Sequence, residues 1–390
     1  CVYSEHKSVF PSTTRTTAAS IATGCYPGTH GLEGNCMALD DGGGLKAMSA
    51  GPADFREKMR QITGRTLRVP TISERITKLG DAVVFSNVSP GAAYFHDPDG
   101  HGYVFHRCGS YGPGLKKISR PYQLDVSHDQ AGDKKMTKRF CDEVLELRKP
   151  PYSLLWLCEP DHTQHAYPLG SPEHIAAILA ADENVKIVND IIDKQIQAGE
   201  KILFILASDH GHETVSKTLP LSSRLVEAGL KKDESSSEIV VASNGLSANI
   251  YMSLEGKKLF RETIDFLKTV EELDSIYWGK SLENLGHRTD SSLAISVTTK
   301  YSEEVNQFGI KGLSIAIEDP LHQDTNIGCG QHGGLGKFEQ SPFLMFKGFG
   351  VEEGRAFTQS TSAIDLAPTI LKFLGVSHSG MDGSPLRLFH

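Results

Sequence analysis

Short apolar runs alternate with helical patterns along this chain, which is typical of a parallel sheet covered by helices on both faces. Three of the runs have the character of buried strands, and polar residues follow each of them at once: residues 82–87, 153–158 and 202–207. We therefore predict an α/β fold with a mostly parallel central sheet. Ligands bind outside the carboxyl ends of the strands in such sheets, so the residues just past these runs are site candidates.

A long helix is predicted between the second and third strands. Ser171 suits its N-cap, Pro172 suits its first turn, and Gly199 suits its end. Apolar residues repeat between these points at near-helical spacing. The result is a strand–helix–strand crossover over residues 153–207. A final helix is predicted over residues 363–374 and is expected to pack back on the core.

The segment from residue 243 to residue 319 has a different pattern and is predicted to be a small α+β cap. We expect it to be inserted into a core made of residues 1–242 and 320–390. Insertions of this kind usually shape substrate choice. Its predicted elements are a strand over 248–253, a helix over 257–269, and strands over 275–278 and 293–298.

Composition narrows the class of protein. The chain has 390 residues, and its net charge of -8 argues against binding a nucleic-acid polymer, which normally requires a basic excess. Its seven cysteines show no C-x-x-C pair, which favours reduced thiols and a cytoplasmic location, and no apolar stretch is long enough to cross a membrane. Sixteen histidines, several of them beside aspartates, give the first indication of metal binding.

The first chemical candidate is the hydroxyl-rich segment 11–24, in which a loop is predicted to enter a helix near Thr14. A hydroxyl at a helix N-terminus lies at the positive end of the helix dipole, and free backbone N–H groups there can hold phosphate oxygens. An ordinary Ser/Thr N-cap is the competing interpretation.

The second candidate follows the strand over 153–158. Asp161 and His165 are four residues apart, so one helical turn brings a carboxylate and an imidazole to the same point. This donor pair suits Zn²⁺ or Mn²⁺. A surface loop with incidental histidines is the alternative.

Two further candidates lie downstream. Asp209 and His210 follow the third strand, and Gly211 permits the irregular turn on which both could reach one ion. A structural Asp–His hydrogen bond is the alternative for this pair. His212 is expected to be incidental, and the alternative for it is a contact with a metal ligand or with substrate. His332 is flanked by glycines, which let a backbone approach a metal closely, although a lone loop histidine usually has no such role.

Together the four candidates supply one hydroxyl, two carboxylates and three imidazoles. Two metal ions about 4 Å apart can clamp the attacking and leaving oxygens of an in-line displacement. An ion would also lower the pKa of a threonine hydroxyl. The set is therefore complete for phosphate-ester hydrolysis.

At these residues the sequence resembles the alkaline phosphatase superfamily, in its nucleotide pyrophosphatase/phosphodiesterase branch. The matching motifs stand in the following order: Thr14, Glu159-Pro160-Asp161-x-x-x-His165, Ser208-Asp209-His210-Gly211 and His332-Gly333. The resemblance implies an alkaline phosphatase-like fold, two divalent ions (Zn²⁺, with Mn²⁺ as the second choice) and a phospho-threonine intermediate.

The resemblance also implies a role for each matching residue. Thr14 corresponds to the nucleophile. Asp161, His165 and His332 correspond to the ligands of one metal ion. Asp209 and His210 correspond to ligands of the other ion, which Thr14 would also contact.

The chain departs from the family pattern in two places. None of the thirteen residues before Thr14 is aspartate, although relatives carry an Asp-Gly metal ligand upstream of the nucleophile. We therefore expect an N-terminally truncated chain with a weakened second metal site. Relatives that hydrolyse nucleotides place asparagine where Thr17 stands. Thr17 and Arg15 are accordingly candidate substrate contacts, and Arg15 either binds phosphate through two hydrogen bonds or points to solvent.

The leading hypothesis is a metal-dependent phosphodiesterase-type hydrolase that acts on a small phosphate ester or phosphonate. One alternative is a phosphonoacetate hydrolase-type enzyme that splits a carbon–phosphorus bond with the same residues. Another is a metal-poor homologue that binds phosphorylated ligands without turnover. A sulfatase is disfavoured, because the Cys/Ser-x-Pro-x-Arg signature is absent.

Overall fold

Helices alternate with short strands in the computed structural model, which describes residues 1–319 and 326–388. These residues form eleven α-helices, and α1 and α7 begin at the predicted site residues Thr14 and Asp161. The helices are α1 Thr14–Thr23, α2 Pro27–His30, α3 Phe55–Thr63, α4 Ile72–Arg75, α5 Pro90–Tyr94, α6 Gln130–Phe140, α7 Asp161–Ala166, α8 Pro172–Gln197, α9 Leu221–Glu227, α10 Phe260–Leu267 and α11 Leu366–Phe373.

Shorter helical pieces connect or extend these elements. A π-helix, Cys141–Arg148, continues α6, and the 3₁₀-helix Ala363–Asp365 leads into α11. The other 3₁₀-helices in the described residues are Pro113–Leu115, Arg120–Tyr122, Gly256–Leu259 and Gly279–Leu285.

The described residues also contain twenty-one strands, most of them short. They are β1 Val2–Tyr3, β2 His6–Lys7, β3 Cys36–Asp40, β4 Leu45–Ser49, β5 Ala82–Ser86, β6 Tyr103–His106, β7 Tyr111–Gly112, β8 Lys116–Lys117, β9 Tyr152–Trp156, β10 Leu203–Ala207, β11 Glu213–Leu219, β12 Ile239–Ser243, β13 Ser247–Met252, β14 Leu273–Trp278, β15 Leu293–Thr299, β16 Tyr301–Val305, β17 Lys311–Ile317, β18 Gly330–Gln331, β19 Leu344–Gly348, β20 Ala356–Phe357 and β21 Thr361–Ser362.

Parallel pairing centres on β5, which lies between β6 and β9 in a sheet of order β8-β7-β6-β5-β9. Three four-stranded sheets have the orders β10-β19-β1-β20, β16-β17-β11-β18 and β12-β13-β15-β14, and most of their pairs are antiparallel. The α/β fold class is therefore confirmed, with mixed sheets around the parallel part.

The three predicted strands are present as β5, β9 and β10, with ends shifted by one or two residues. The predicted crossover helix is α8. The Ser171 hydroxyl caps it by accepting the backbone N–H of His174 at 3.2 Å, and Gly199 follows its end with φ of 95°. β10 pairs with β19, however, so the crossover joins strands that are assigned to different sheets.

The segment predicted as a cap shares its sheets with the rest of the chain. β12 begins at Ile239, before the predicted boundary at residue 243, and β17 pairs in parallel with β11. The side chains of Val240 and Leu293 lie in one apolar cluster with Met37 of β3. The segment is thus packed directly against the N-terminal part of the chain.

The core under the parallel strands is rich in buried aromatic residues. Phe85 and Phe105 stack with ring centroids 4.5 Å apart, and both are fully buried. Buried Ala18 and Ala19 lie on α1. This packing fixes α1 and the strand ends that precede the candidate residues.

All seven cysteines lie in described residues and are unpaired, and no helix there is long and apolar enough to span a bilayer.

Candidate active site

Asp161 lies at the centre of the candidate site. It is the first residue of α7, the helix that follows β9. His165 lies one turn further along the same helix, and its Nε2 is 3.3 Å from Asp161 Oδ1. The other ring nitrogen of His165, Nδ1, donates to the Gly330 carbonyl at 3.1 Å. This hydrogen bond fixes the tautomer and leaves Nε2 free to bind a metal.

Two histidines from distant segments reach the same carboxylate oxygen. His212 Nε2 is 3.0 Å and His332 Nε2 is 3.8 Å from Asp161 Oδ1. His332 Nδ1 donates to the Ser12 carbonyl at 2.8 Å, so its Nε2 also carries the free lone pair. We call Asp161, His165, His212 and His332 the first ligand group.

A second ligand group consists of Thr14, Asp209 and His210. His210 Nε2 is 3.2 Å from Thr14 Oγ1 and 3.2 Å from Asp209 Oδ2. His210 Nδ1 donates to the carbonyl of Gly211 at 3.0 Å, which again leaves Nε2 for a metal. Thr14 is the first residue of α1, so its hydroxyl lies at the N-terminus of that helix.

The two groups are in contact with each other. The rings of His210 and His332 stack with centroids 3.5 Å apart. Ligand atoms of Asp161, His210, His212 and His332 all lie within 4.8 Å of one another, so His210 could also share an ion with the first group. Because His210 Nε2 faces both Thr14 and Asp209 at 3.2 Å, we assign it to the second group.

Three buried atoms test whether this cluster suits a metal. Asp161 Oδ1, Asp209 Oδ2 and His212 Nε2 have no hydrogen-bond partner within residues 1–319 and 326–388. Leaving such groups buried and unsatisfied is costly. A divalent cation in each group would satisfy them, and a set of imidazoles and carboxylates suits Zn²⁺ or Mn²⁺. The residues therefore fit a metal centre.

The histidines of the two groups differ in pKa: burial opposes protonation of His165, but the Asp161 carboxylate raises its pKa above the usual value. Burial lowers the pKa of His212 to about 4 and holds the pKa of His332 well below its usual range. Burial also opposes protonation of His210, but the Asp209 carboxylate overrides it and raises the pKa to about 9. For Asp161, burial opposes ionisation, yet the histidines His165 and His212 hold its pKa well below the ordinary value.

A buried hydrogen-bond network joins the segment before Thr14 to the segment after His332. The Ser12 hydroxyl donates to Glu339 Oε2 at 2.7 Å and accepts the Gly333 N–H at 2.9 Å. Glu339 Oε2 also accepts the Gly334 N–H at 2.9 Å. Burial, together with the charge of Glu213, raises the pKa of Glu339 to about 7. The network positions both the nucleophile loop and His332.

The two predicted substrate contacts have different surroundings. Arg15 donates through Nε to the Ser89 hydroxyl at 3.1 Å, and its backbone N–H donates to Asn35 Oδ1 at 3.0 Å. Arg15 therefore lies against protein rather than pointing to open solvent. Thr17 is fully buried with its hydroxyl 3.3 Å from that of Ser8, so its side chain does not face either ligand group.

The model of the family described as type I phosphodiesterase / nucleotide pyrophosphatase matches residues 1–293. The chain belongs to this family. The matched region contains the second ligand group and most of the first, whereas His332 lies beyond it. Phosphodiesterases and nucleotide pyrophosphatases are hydrolases, so the expectation of a phosphoryl hydrolase is supported at that level. No curated protein sequence matches the chain.

This phosphodiesterase family member shares its fold with solved structures of phosphodiesterases, phosphonate hydrolases and alkaline phosphatases. Murine ectonucleotide pyrophosphatase/phosphodiesterase 5 is 18% identical with a TM-score of 0.65, covering 98% of this chain and 89% of its own. Phosphonoacetate hydrolase from Sinorhizobium meliloti 1021 is 16% identical with a TM-score of 0.65 and coverages of 95% and 86%. Wild-type alkaline phosphatase PafA is 15% identical with a TM-score of 0.71 and coverages of 99% and 91%. At these identities the likeness establishes the fold.

Sequence reasoning missed residues that the structure brings to the site of this phosphodiesterase family member. His212 was expected to be incidental, yet its Nε2 is 3.0 Å from Asp161 Oδ1. The available signal was the spacing of His210 and His212, because alternate residues of an extended segment point to the same side. Ser12 and Glu339 gave no signal, since their contact depends on a separation of 327 residues.

Proposed function

We propose that this protein hydrolyses phosphodiester or related phosphoryl bonds of small substrates, with Thr14 as nucleophile and two divalent ions, Zn²⁺ first among them. One observation carries the proposal. The Thr14 hydroxyl lies at the N-terminus of a buried helix, 3.2 Å from His210 Nε2, beside the unpartnered Asp209 Oδ2. A hydroxyl in that position has both a metal ligand set and a phosphate-binding helix end beside it.

The proposed reaction has two displacements. Thr14 Oγ1 loses its proton to solvent and attacks phosphorus, and the leaving-group oxygen departs with the electron pair of its bond to phosphorus. Water then attacks the phospho-threonine and loses a proton, the Thr14 O–P bond breaks, Oγ1 takes up a proton, and the phosphoryl product is released. Divalent ions, when bound, would lower the pKa of the attacking hydroxyl and neutralise charge on the phosphoryl oxygens.

The chain's own residues would position the substrate. The N–H groups at the start of α1 point at the position that a phosphoryl group would occupy beside Thr14. Arg15 is held next to them by Ser89 and Asn35, with a guanidinium that suits phosphoryl oxygens. The amide nitrogen of Asn35 is a second donor in reach of that region, because its Oδ1 already accepts from Arg15.

Two related proteins support different substrates. An inactive threonine-to-alanine variant of murine ectonucleotide pyrophosphatase/phosphodiesterase 5 is described in complex with AMP, which supports nucleotide diesters and a threonine nucleophile. Phosphonoacetate hydrolase is described in complex with phosphonoacetate, which supports carbon–phosphorus cleavage as the second candidate. Phospho-ligand binding without turnover is the third.

A hydrolysis panel with added zinc tests the proposal. It compares bis-p-nitrophenyl phosphate, p-nitrophenyl phosphate, a nucleotide diester and phosphonoacetate. We expect Thr14→Ala to lose activity by roughly 10⁴-fold while still binding zinc through the other ligands, because the nucleophile is removed and Asp209 and His210 remain. Thr14→Ser, which keeps a hydroxyl, is the matched control and should retain activity.

Each result has a distinct meaning. Preference for diesters supports the phosphodiesterase, and preference for phosphonoacetate promotes the second candidate. Near wild-type hydrolysis by Thr14→Ala would remove this residue from the nucleophile role. Zinc binding with no turnover of any substrate by the wild type would favour the binding protein.

A further inference from the structure

The distances from Asp161 Oδ1 to three imidazole nitrogens match three edges of a tetrahedral metal site. Zinc binds imidazole nitrogen and carboxylate oxygen at about 2.0–2.1 Å, so neighbouring ligand atoms of a tetrahedral site are about 3.4 Å apart. The Nε2 atoms of His212, His165 and His332 lie 3.0, 3.3 and 3.8 Å from Asp161 Oδ1. These values straddle the tetrahedral edge, and His212 is the nearest of the three.

The three imidazoles also surround Asp161 from different directions. The ring of His212 meets those of His165 and His332 at interplanar angles of 70° and 78°, with centroids 5.1 Å away in both cases. Rings that bind one ion are tilted toward each other in this way. Aromatic side chains that only pack together have no reason to turn a ring nitrogen toward the same carboxylate.

Asp161 Oδ1 is the polar atom that His212 Nε2 faces, at 3.0 Å. The side chain of His212 is only 4% exposed, and Nε2 has no hydrogen-bond partner in the described residues. The backbone of Gly330 packs closely on the ring, since a Cβ at that position would lie 3.0 Å from His212 Cδ2. The ring is thus held with an unsatisfied nitrogen aimed at Asp161.

We infer that His212 is the fourth protein ligand of the ion bound by Asp161, His165 and His332. This inference rests on the proposed two-ion function. Four protein ligands close a zinc site, whereas a site with fewer keeps a position for water or substrate. The ion in the first ligand group is therefore held tightly and exchanges slowly. The ion in the second group, with Asp209, His210 and Thr14, keeps open positions and exchanges quickly.

Release of zinc to a chelator tests the asymmetry. The fully loaded wild type should give up its two ions in separate fast and slow phases, followed with a colorimetric zinc indicator. His212→Ala should speed up the slow phase by roughly 100-fold, because losing an outer-shell partner alone weakens metal binding 10–100-fold. The fast phase should not change.

His162→Ala is the matched control. His162 is exposed on α7 next to Asp161, and its ring packs against that of His128 with centroids 4.4 Å apart and an interplanar angle of 45°. Its release kinetics should equal those of the wild type. An equal acceleration in His162→Ala would overturn the inference, since the effect would then come from disturbing α7.

Cobalt substitution gives a readout that a merely structural role would not change. His212→Cys, loaded with Co²⁺, should show a sulfur-to-cobalt charge-transfer absorption that the cobalt-loaded wild type lacks, because thiolate replaces imidazole as a ligand. Cobalt bound in stoichiometric amount without that absorption would overturn the inference, whatever the variant's activity.

Failure of this inference and failure of the proposed function can be told apart. A wild type that hydrolyses phosphoryl substrates with two ions, but whose slow phase His212→Ala leaves unaltered, refutes only the role of His212. A wild type that binds no zinc refutes the metal-dependent function and the inference together.

Discussion

The two ligand groups are built differently, although the rings of His210 and His332 stack across their boundary. The first group gathers four donors from α7, the segment before β11 and the segment after β18. The second group has three, and one of them is the Thr14 hydroxyl at the start of α1. A hydroxyl that forms a bond to phosphorus cannot also be a permanent part of a rigid metal cage.

This difference shows how one cluster of ligands can both retain a metal ion and present a reactive hydroxyl. The first group has the donors to retain an ion and lies on segments that are fixed by hydrogen bonds to the backbone at Gly330 and Ser12. The second group offers the reactive hydroxyl and room for substrate oxygens. We expect retention and reactivity to be separable by mutation.

The largest effect should come from Asp161→Asn. Asp161 Oδ1 is the atom that three histidines surround, and an amide at that position cannot supply the anionic ligand. We expect retention of the first ion to fall by roughly 1000-fold, beyond the 10–100-fold typical of outer-shell changes. Metal analysis after dialysis checks this. A variant that still keeps both ions would show that the ligands of the first group have been assigned incorrectly.

A smaller effect should come from pH. The Asp209 carboxylate overcomes the effect of burial and raises the pKa of His210 to about 9, so in the metal-free protein this ring is protonated at neutral pH. Metal must displace that proton, and affinity for the second ion should rise about tenfold per pH unit between pH 7 and about 9 and then level off.

His212, with a pKa lowered to about 4 by burial, imposes no such competition near neutral pH. Zinc titrations followed by calorimetry in buffers of different ionisation enthalpy would count the protons released. Uptake of the weaker ion without proton release at pH 7 would contradict the assignment of His210.

The smallest effect is expected for Ser12→Ala. The substitution leaves a buried Glu339 oxygen and the Gly333 N–H without their Ser12 partner, which should cost about 1–3 kcal/mol in the free energy of unfolding. Metal retention should weaken by less than about tenfold, because the Ser12 carbonyl still orients His332. Denaturant unfolding measures the change, with exposed Ser4→Ala as a control that should stay within about 0.5 kcal/mol. Equal stabilities of the two variants would show that the network does not support the site.

Much of the fold and site could be predicted from the sequence, because the signals are local. Apolar runs mark β5, β9 and β10, and polar residues follow them where a parallel sheet opens to ligands. The i, i+4 spacing of Asp161 and His165 is realised on α7. The Ser171 cap is also a local signal, because its hydroxyl accepts a backbone N–H only three residues further along the chain.

What could not be predicted depends on distant contacts. β10 pairs with β19, more than a hundred residues away, and sequence periodicity carries no information on that choice. Thr17 faces the interior because α1 packs with that side inward, which depends on its neighbours in the fold. The cap boundary at residue 243 remains a prediction, although β12 begins before it and β17 joins β11 across it.

The link between Ser12 and His332 also determines when the site can exist during synthesis. His332 Nδ1 reaches a carbonyl 320 residues earlier in the chain, and Glu339 reaches the Ser12 hydroxyl across 327 residues. Contacts this far apart form late in folding, because the intervening chain must first be ordered. A ribosome-bound chain that has not yet exposed residue 332 lacks one donor of the first group and leaves Ser12 unpaired. We therefore expect the first ligand group to be complete, and its ion to be fully retained, only after residue 332 has joined the fold.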